Sequence, residues 1–180
     1  MQHKVVITGG PGTGKSTVLE ELQNRNYFCM HEISREITLH ARESGIEQLF
    51  LKDPVLFSKM LLEGRENQYK IAHKNTADVV FFDRGIPDIN AYMNYMGIQY
   101  DDYFNKTCQK NRYSKIFIMP PWKEIYITDN ERYESFEQAL AIHNHLKNTY
   151  IDFDYELIDV PFNSVEKRVE FILNSLKLDK

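Results

Sequence analysis

The chain has 180 residues, of which 42% are hydrophobic and 27% charged, so its composition is that of a globular domain and not of a disordered chain. We expect one domain, residues 1–180, whose core needs neither disulfides nor a structural metal. With 22 basic and 26 acidic residues the net charge is −4, which argues against nucleic-acid and anionic-membrane partners. Apolar runs are no longer than four residues, which predicts that no helix spans a membrane. The first predicted strand begins at residue 4, which predicts no signal peptide, so we expect a cytoplasmic protein.

The first predicted strand, residues 4–8, leads into a glycine-rich loop and a helix over residues 15–24. This loop satisfies the phosphate-binding pattern G-x-x-x-x-G-K-[ST] in the strand-to-helix context that the pattern requires. Backbone N–H groups and the helix N-terminus can surround a phosphate chain, Lys15 can neutralise the β- and γ-phosphates, and the Ser16 hydroxyl suits Mg²⁺. The alternative is a glycine-rich turn without a ligand. The predicted nucleotide-binding residues are Gly9, Gly10, Pro11, Gly12, Thr13, Gly14, Lys15, Ser16 and Thr17.

The second predicted strand, residues 27–31, is followed by Glu32 and by a helix over residues 33–42. In a parallel sheet the end of this strand lies at the same edge as the phosphate-binding loop. Glu32 could then hydrogen-bond substrate hydroxyls or act as a base, and Arg35 could bind an acidic group of the substrate. The alternative is a charged helix start that favours the helix dipole.

Asp53 and Pro54 predict the start of a long helix that reaches about residue 74, and the third strand, residues 78–83, follows it. Four apolar residues before Asp83 place this carboxylate at the carboxyl end of a core strand, where open α/β sheets bind ligands. Asp83 could hold Mg²⁺ or accept the proton of an attacking hydroxyl, and Arg84 could bind two phosphoryl oxygens. The alternative is a strand end with a solvent-facing ion pair.

Helices over residues 87–95 and 102–109 precede a fourth strand, residues 115–119, and a Pro-Pro-Trp loop. We expect Trp122 to be a packing anchor of this loop; the alternative is an aromatic side chain of the lid or of a binding surface. The apolar residues of the segment 131–150 recur at helical spacing, which predicts a further helix there. The intervening segment, about residues 120–135, suits a lid from which Arg132 could add positive charge over the phosphates. The alternative is a solvated segment that caps the helix through Asp129 or Asn130.

A fifth strand over residues 155–160 and a helix over residues 165–176 complete the pattern. Five strands separated by helices predict an α/β fold in which a parallel sheet is covered by helices on both faces, a three-layer αβα arrangement.

Several of these motifs together resemble a known family. They are the phosphate-binding loop, E-x-x-R-E after the second strand, F-F-D-R-G-I-P-D, P-P-W, the stretch around Asp129 and Arg132, and the V-E-K-R near the C-terminus. They resemble the predicted ATPases labelled "AAA domain", which are related to the ribosylnicotinamide kinase domain of bifunctional NAD-biosynthesis proteins. The resemblance implies a P-loop kinase-type fold with a lid and a five-stranded sheet of order 2-3-1-4-5. The acidic residues that these kinases carry after strands two and three correspond to Glu32 and Asp83.

The motifs favour a Mg²⁺-dependent kinase that transfers the γ-phosphoryl group of ATP to a hydroxyl of a small, nucleoside-like acceptor. In this hypothesis Lys15, Asp83, Arg84 and Arg132 are catalytic, Glu32, Arg35 and Arg84 contact the acceptor, and Ser16 and Asp83 bind Mg²⁺. The alternative is a nucleotide switch or slow NTPase that acts through a protein partner. GTP remains a second candidate nucleotide, although the sequence has no Asn-Lys-x-Asp motif for guanine. A binding module without turnover is disfavoured because Lys15, Ser16 and Asp83 are all intact.

Overall fold

A parallel five-stranded sheet lies at the centre of the fold. The structure is a computed structural model that describes residues 2–126 and 135–176. The strands are β1 (His3–Gly9), β2 (Phe28–Met30), β3 (Val79–Asp83), β4 (Lys115–Met119) and β5 (Leu157–Asp159). Their order across the sheet is β2-β3-β1-β4-β5, and each neighbouring pair is parallel. The fold class predicted from the sequence and the strand order implied by the family resemblance are therefore confirmed.

Helices connect these strands. Within the described residues they are α1 (Lys15–Asn24), α2 (Ser34–Glu43), α3 (Leu49–Lys52), α4 (Pro54–Lys74), α5 (Pro87–Tyr95), α6 (Asp102–Lys110), α7 (Phe136–Asp152) and α8 (Val165–Ser175), with a 3₁₀ turn at Lys123–Ile125. None of the described helices combines the length and the apolar character that crossing a bilayer requires.

Side chains of the central strands alternate between two cores, one on each face of the sheet. Val6 and Phe82 pack with residues of α4, α5 and α7. Val5 and Ile7 point to the other face and pack with residues of α1 and α8. All four side chains are at most 1% exposed, as expected for strands that are covered on both faces. The three-layer prediction is confirmed.

The register of the central strands determines what meets at the carboxyl edge of the sheet. Ile7 of β1 pairs with Asp83 of β3, and Gly9 pairs with Met119 of β4. The loop that follows β1 therefore begins beside the last residue of β3. This pairing brings the two strongest motifs of the sequence together.

Most helix boundaries agree with the sequence prediction, and the differences have local causes. The Asp53 side chain accepts a hydrogen bond from the Leu56 amide at 2.9 Å, which confirms the predicted cap of α4. The short helix α3 was not predicted; its preceding residue, Gln48, has a φ of 52°. The prediction that α7 starts at residue 131 is wrong, because Ser135 and Gln138 form a capping box that starts the helix at Phe136.

Candidate active site

The phosphate-binding loop encloses a cavity of about 190 Å³ between β1 and α1, a volume that suits part of a small ligand. Residues 10–17 line it, together with Arg35 of α2 and Arg84. Gly12 and Gly14 have φ values of 71° and 76°, a left-handed conformation that glycine adopts without strain. Because α1 begins directly after Gly14, its free N–H groups lie at the cavity. The arrangement suits an anion.

Other parts of the chain pack closely against the outside of this loop. A Cβ atom on Gly12 would lie 2.5 Å from the Tyr126 ring, and one on Gly14 would lie 2.7 Å from the Arg168 guanidinium. Arg168 of α8 donates hydrogen bonds to the Thr13 carbonyl at 3.1 Å and to the Gly14 carbonyl at 3.0 Å. These contacts hold the loop in place. They also explain why glycine is required at positions 12 and 14, because a Cβ atom there would lie too close to Tyr126 or Arg168.

Lys15 and Asp83 form a buried ion pair at the N-terminus of α1. The Lys15 Nζ atom lies 2.8 Å from Asp83 Oδ1, and the two side chains are 10% and 8% exposed. Burial and then the charge of Arg84 lower the pKa of Lys15, while Asp83 opposes this shift. A phosphate group that enters the cavity would meet the ammonium and the carboxylate at one place. Asp83 thus lies at the strand end where the sequence placed it.

Glu32 lies between two arginines. Its Oε2 atom is 2.8 Å from Arg84 Nε, and its Oε1 atom is 3.4 Å from Arg65 Nη2 of α4. The amides of Ile33 and Ser34 also donate to Oε1. Burial alone would raise the pKa of Glu32, but Arg65, Arg84 and Lys15 outweigh burial and hold it at about 2. A carboxylate with this pKa is a poor proton acceptor at neutral pH, so of the two roles predicted for Glu32 the geometry favours hydrogen bonding over general-base catalysis.

Arg84 joins Glu32 to the phosphate-binding loop. It has a φ of 71°, which is strained for a residue with a side chain. Its Nη1 atom donates to the Gly9 carbonyl at 3.0 Å and to Asp88 Oδ1 at 3.2 Å. With a side chain that is only 14% exposed, Arg84 does not form the solvent-facing ion pair that was the alternative for this strand end.

The structure brings five predicted site residues to one edge of the sheet, beside the glycine loop. They are Lys15, Glu32, Arg35, Asp83 and Arg84. Ser16 lines the same cavity. Arg132, Asp129 and Asn130 lie outside the described residues, as does the 127–134 part of the predicted lid. Trp122 packs on Phe162 with ring centroids 5.3 Å apart, as expected for a loop anchor.

Three buried residues of this region were not predicted as site residues. Arg65 is 4% exposed and donates a hydrogen bond to the Gly85 carbonyl as well as contacting Glu32. Asp88 is 1% exposed and contacts Arg84. Arg168 holds the loop from α8. The signal for Arg65 was present in the sequence, because it follows Leu61 and Leu62 at helical spacing and therefore lies on the buried face of α4.

Comparisons with known proteins agree with the architecture. The structure of a deoxyadenosine kinase from M. mycoides with bound dATP is 20% identical, superposes with a TM-score of 0.73, and shares 97% of this chain and 99% of that one. A NadR protein in complex with NR is also 20% identical, with a TM-score of 0.75 over 97% of this chain and 50% of that chain, about half its length. At these identities the likeness shows the fold.

Sequence comparison identifies the family. No curated protein matches the chain at the sequence level. The family described as "AAA domain" matches residues 4–168, which is most of the chain. The chain therefore belongs to this AAA-domain family.

Proposed function

We propose that the protein is a Mg²⁺-dependent kinase that transfers the γ-phosphoryl group of ATP to a hydroxyl of a small, nucleoside-like acceptor. The observation that carries this proposal is the Lys15–Asp83 pair, in which the ammonium of the lysine that ends the glycine loop lies 2.8 Å from a buried carboxylate. Binding phosphate alone needs only the loop and the lysine, whereas phosphoryl transfer also uses a carboxylate beside them. The similarity of the fold to solved kinase structures supports the proposal.

The phosphates of ATP would lie in the loop formed by residues 9–17. Lys15 would neutralise charge on the β- and γ-phosphates, and the N-terminus of α1 would favour the anion. GTP stays a second candidate, because the residues assigned to the loop would contact the phosphates and not the base.

Magnesium fits the donors that this edge offers. The Ser16 hydroxyl and the Asp83 carboxylate are oxygen ligands, which Mg²⁺ prefers, and it commonly adds only one or two protein ligands to phosphate oxygens and water. Within residues 2–126 and 135–176 no three His, Cys, Asp or Glu side chains cluster to hold a metal alone. Bound there, the ion would neutralise charge on the transferring phosphoryl group.

The acceptor would approach from the side of β2 and α4. Asp83 would orient the hydroxyl of the acceptor and take its proton. As the hydroxyl oxygen bonds to the γ-phosphorus, the bond between this phosphorus and the oxygen that bridges to the β-phosphate breaks, and ADP leaves. Glu32, kept ionised by its two arginines, would accept hydrogen bonds from other acceptor hydroxyls. Arg35 and Arg84 line the cavity and would face the transferring group. Arg132, from the lid at about residues 120–135, would add positive charge on closure.

A screen for acceptor-dependent ADP release tests this proposal. The protein is incubated with Mg²⁺ and ATP and with nucleosides, vitamins or sugars in turn. We expect one acceptor class to raise ADP release strongly, and Asp83→Asn to lower that rate on the order of 10²-fold while nucleotide binding persists.

Asp78→Asn is the matched control, because Asp78 is exposed and precedes the opposite end of the same strand. Its rate should equal that of the wild type. If no acceptor changes the rate of ADP release, the kinase proposal fails, and a nucleotide switch or slow NTPase acting through a protein partner takes its place.

A further inference from the structure

Asp88, in the first turn of α5, accepts four hydrogen bonds although it is only 1% exposed. Its Oδ1 atom accepts from the Thr8 hydroxyl at 2.6 Å and from Arg84 Nη1 at 3.2 Å. Its Oδ2 atom accepts from the Tyr150 hydroxyl at 2.6 Å and from the Gly85 amide at 2.9 Å. Every partner is a donor, so the site requires a group that only accepts.

The two oxygens of Asp88 face different parts of the molecule. Thr8 precedes the phosphate-binding loop, and Arg84 follows Asp83, so Oδ1 joins the carboxyl ends of β1 and β3. Tyr150 belongs to α7 and is completely buried, so Oδ2 joins α5 to the core. The first oxygen therefore contacts the side chains next to the proposed site, and the second contacts Tyr150 in the core and the Gly85 amide, which follows Arg84 in the chain.

The position of the Arg84 guanidinium depends on this carboxylate. Nη1 lies between the Gly9 carbonyl and Asp88 Oδ1, and Nε is bound by Glu32. Without Asp88, one of the two acceptors that hold Nη1 is lost, on a residue whose backbone is already in an unfavourable conformation.

We propose that Asp88 is a positioning residue, whose Oδ1 atom fixes the Arg84 guanidinium at the phosphate-binding loop while its Oδ2 atom stabilises the fold. The consequence for turnover rests on the kinase function proposed above, whereas the consequence for the guanidinium does not. An error in the placement of a charged group at a phosphoryl-transfer site lowers the rate constant more than the affinity.

Two substitutions test the two oxygens separately, and a third changes both. Thr8→Val removes a partner of Oδ1, Tyr150→Phe removes a partner of Oδ2, and Asp88→Asn affects both sides, because an amide presents its NH₂ group to a donor in either orientation. For each variant one measures the melting temperature, kcat and KM for the acceptor, and the NMR resonance of the Arg84 Nε–H group, assigned by its loss in Arg84→Lys.

We expect both Thr8→Val and Asp88→Asn to shift or broaden the Arg84 resonance. Thr8→Val should lower kcat about tenfold and Asp88→Asn on the order of 10²-fold, and both should change KM by less than about twofold. Tyr150→Phe should lower the melting temperature but leave the Arg84 resonance and kcat as in the wild type.

The proposal is overturned if the Arg84 resonance is unchanged in Thr8→Val, or if Tyr150→Phe alters the resonance and kcat as much as Thr8→Val does. If Asp88→Asn does not fold, the other two variants still decide between these results. If the wild type phosphorylates no acceptor, the kinase function fails, and the Arg84 resonance by itself still tests the positioning role.

Discussion

Two arginines hold the phosphate-binding loop at its opposite ends, and their surroundings differ. Arg84 donates to the Gly9 carbonyl and is also bound by the carboxylates of Glu32 and Asp88. Arg168 donates to the carbonyls at the end of the loop, and its guanidinium lies 5.9 Å from the centre of the Trp122 ring. The same kind of contact to the backbone is thus combined in one case with two carboxylates and the Tyr92 ring, whose centre lies 5.3 Å from the Arg84 guanidinium, and in the other case with the Trp122 ring.

The charge environment of the two arginines follows from these neighbours. Burial would lower the pKa of Arg84, but Tyr92 and the carboxylates of Glu32 and Asp88 outweigh it and raise the pKa. Burial lowers the pKa of Arg168. The comparison indicates that charge is concentrated on the side of β2 and β3, where we place the acceptor, and that α8 mainly anchors the loop.

The largest expected effect is on stability. Arg84→Ala would remove the guanidinium that pairs with the carboxylates of Glu32 and Asp88. Asp88 would keep only neutral donors, and Glu32 would keep only the longer contact to Arg65 and two backbone amides, so we expect a loss of about 3–5 kcal/mol of unfolding free energy. Arg168→Ala removes hydrogen bonds to two backbone carbonyls and should cost about 1–3 kcal/mol. Urea unfolding of the two variants measures both values. Equal losses would contradict the difference between the two ends of the loop.

Acid should reduce the stability that the Glu32 carboxylate and its arginines contribute on the side of β2 and β3. The pKa of Glu32 is about 2 in the folded protein, below its ordinary value of 4.5, so its contribution to stability is complete above pH 4.5 and is lost as the pH falls towards 2. This lowering of the pKa corresponds to a contribution on the order of 3 kcal/mol to the free energy of unfolding.

Glu32→Gln should therefore be less stable at pH 7 and should lose less unfolding free energy than the wild type between pH 5 and about pH 2.5. Glu47→Gln, at an exposed position, is the control and should follow the wild type. Parallel pH profiles of Glu32→Gln and the wild type would show that the arginines do not stabilise the Glu32 carboxylate.

A smaller effect is expected on nucleotide affinity. Arg168→Ala should loosen the end of the loop and weaken Mg·ATP binding about tenfold, whereas Lys15→Ala removes the charge on the phosphates and should weaken binding on the order of 10²-fold. Calorimetric titration with Mg·ATP measures both. An affinity loss in Arg168→Ala that equals the loss in Lys15→Ala would mean that the anchor acts as a direct phosphate ligand.

The sequence was sufficient to predict that the glycine loop with Lys15 and the strand end with Asp83 lie at the same edge of the sheet. Asp83 ends one strongly apolar strand, and the loop that leads to Lys15 follows another; in a parallel sheet the carboxyl ends of the strands lie at one edge. The roles of Arg168 and Asp88 could not be predicted in this way. Arg168 contacts a residue 155 positions earlier, and Asp88 contacts Tyr150 62 positions later, so neither contact leaves a local pattern in the sequence.

The start of α7 was predictable but was missed. Ser135 and Gln138 have the spacing of a capping box, and both of its hydrogen bonds are present. The aromatic residues Tyr133 and Phe136 have helical spacing, and the prediction followed them and extended the helix too far towards the N-terminus. A capping pattern identifies the first turn because it satisfies free N–H groups, whereas apolar spacing can continue beyond the helix.

Transfer of radiolabel from the γ-position of ATP tests the central claim most directly. The wild type and Asp83→Asn are incubated with γ-labelled ATP, Mg²⁺ and the acceptors that raise ADP release, and the products are separated. Phosphoryl transfer by this site predicts label in an organic phosphate ester, formed by the wild type and on the order of 10²-fold more slowly by Asp83→Asn. Label that appears only as inorganic phosphate, or an ester formed equally fast by both proteins, would contradict it.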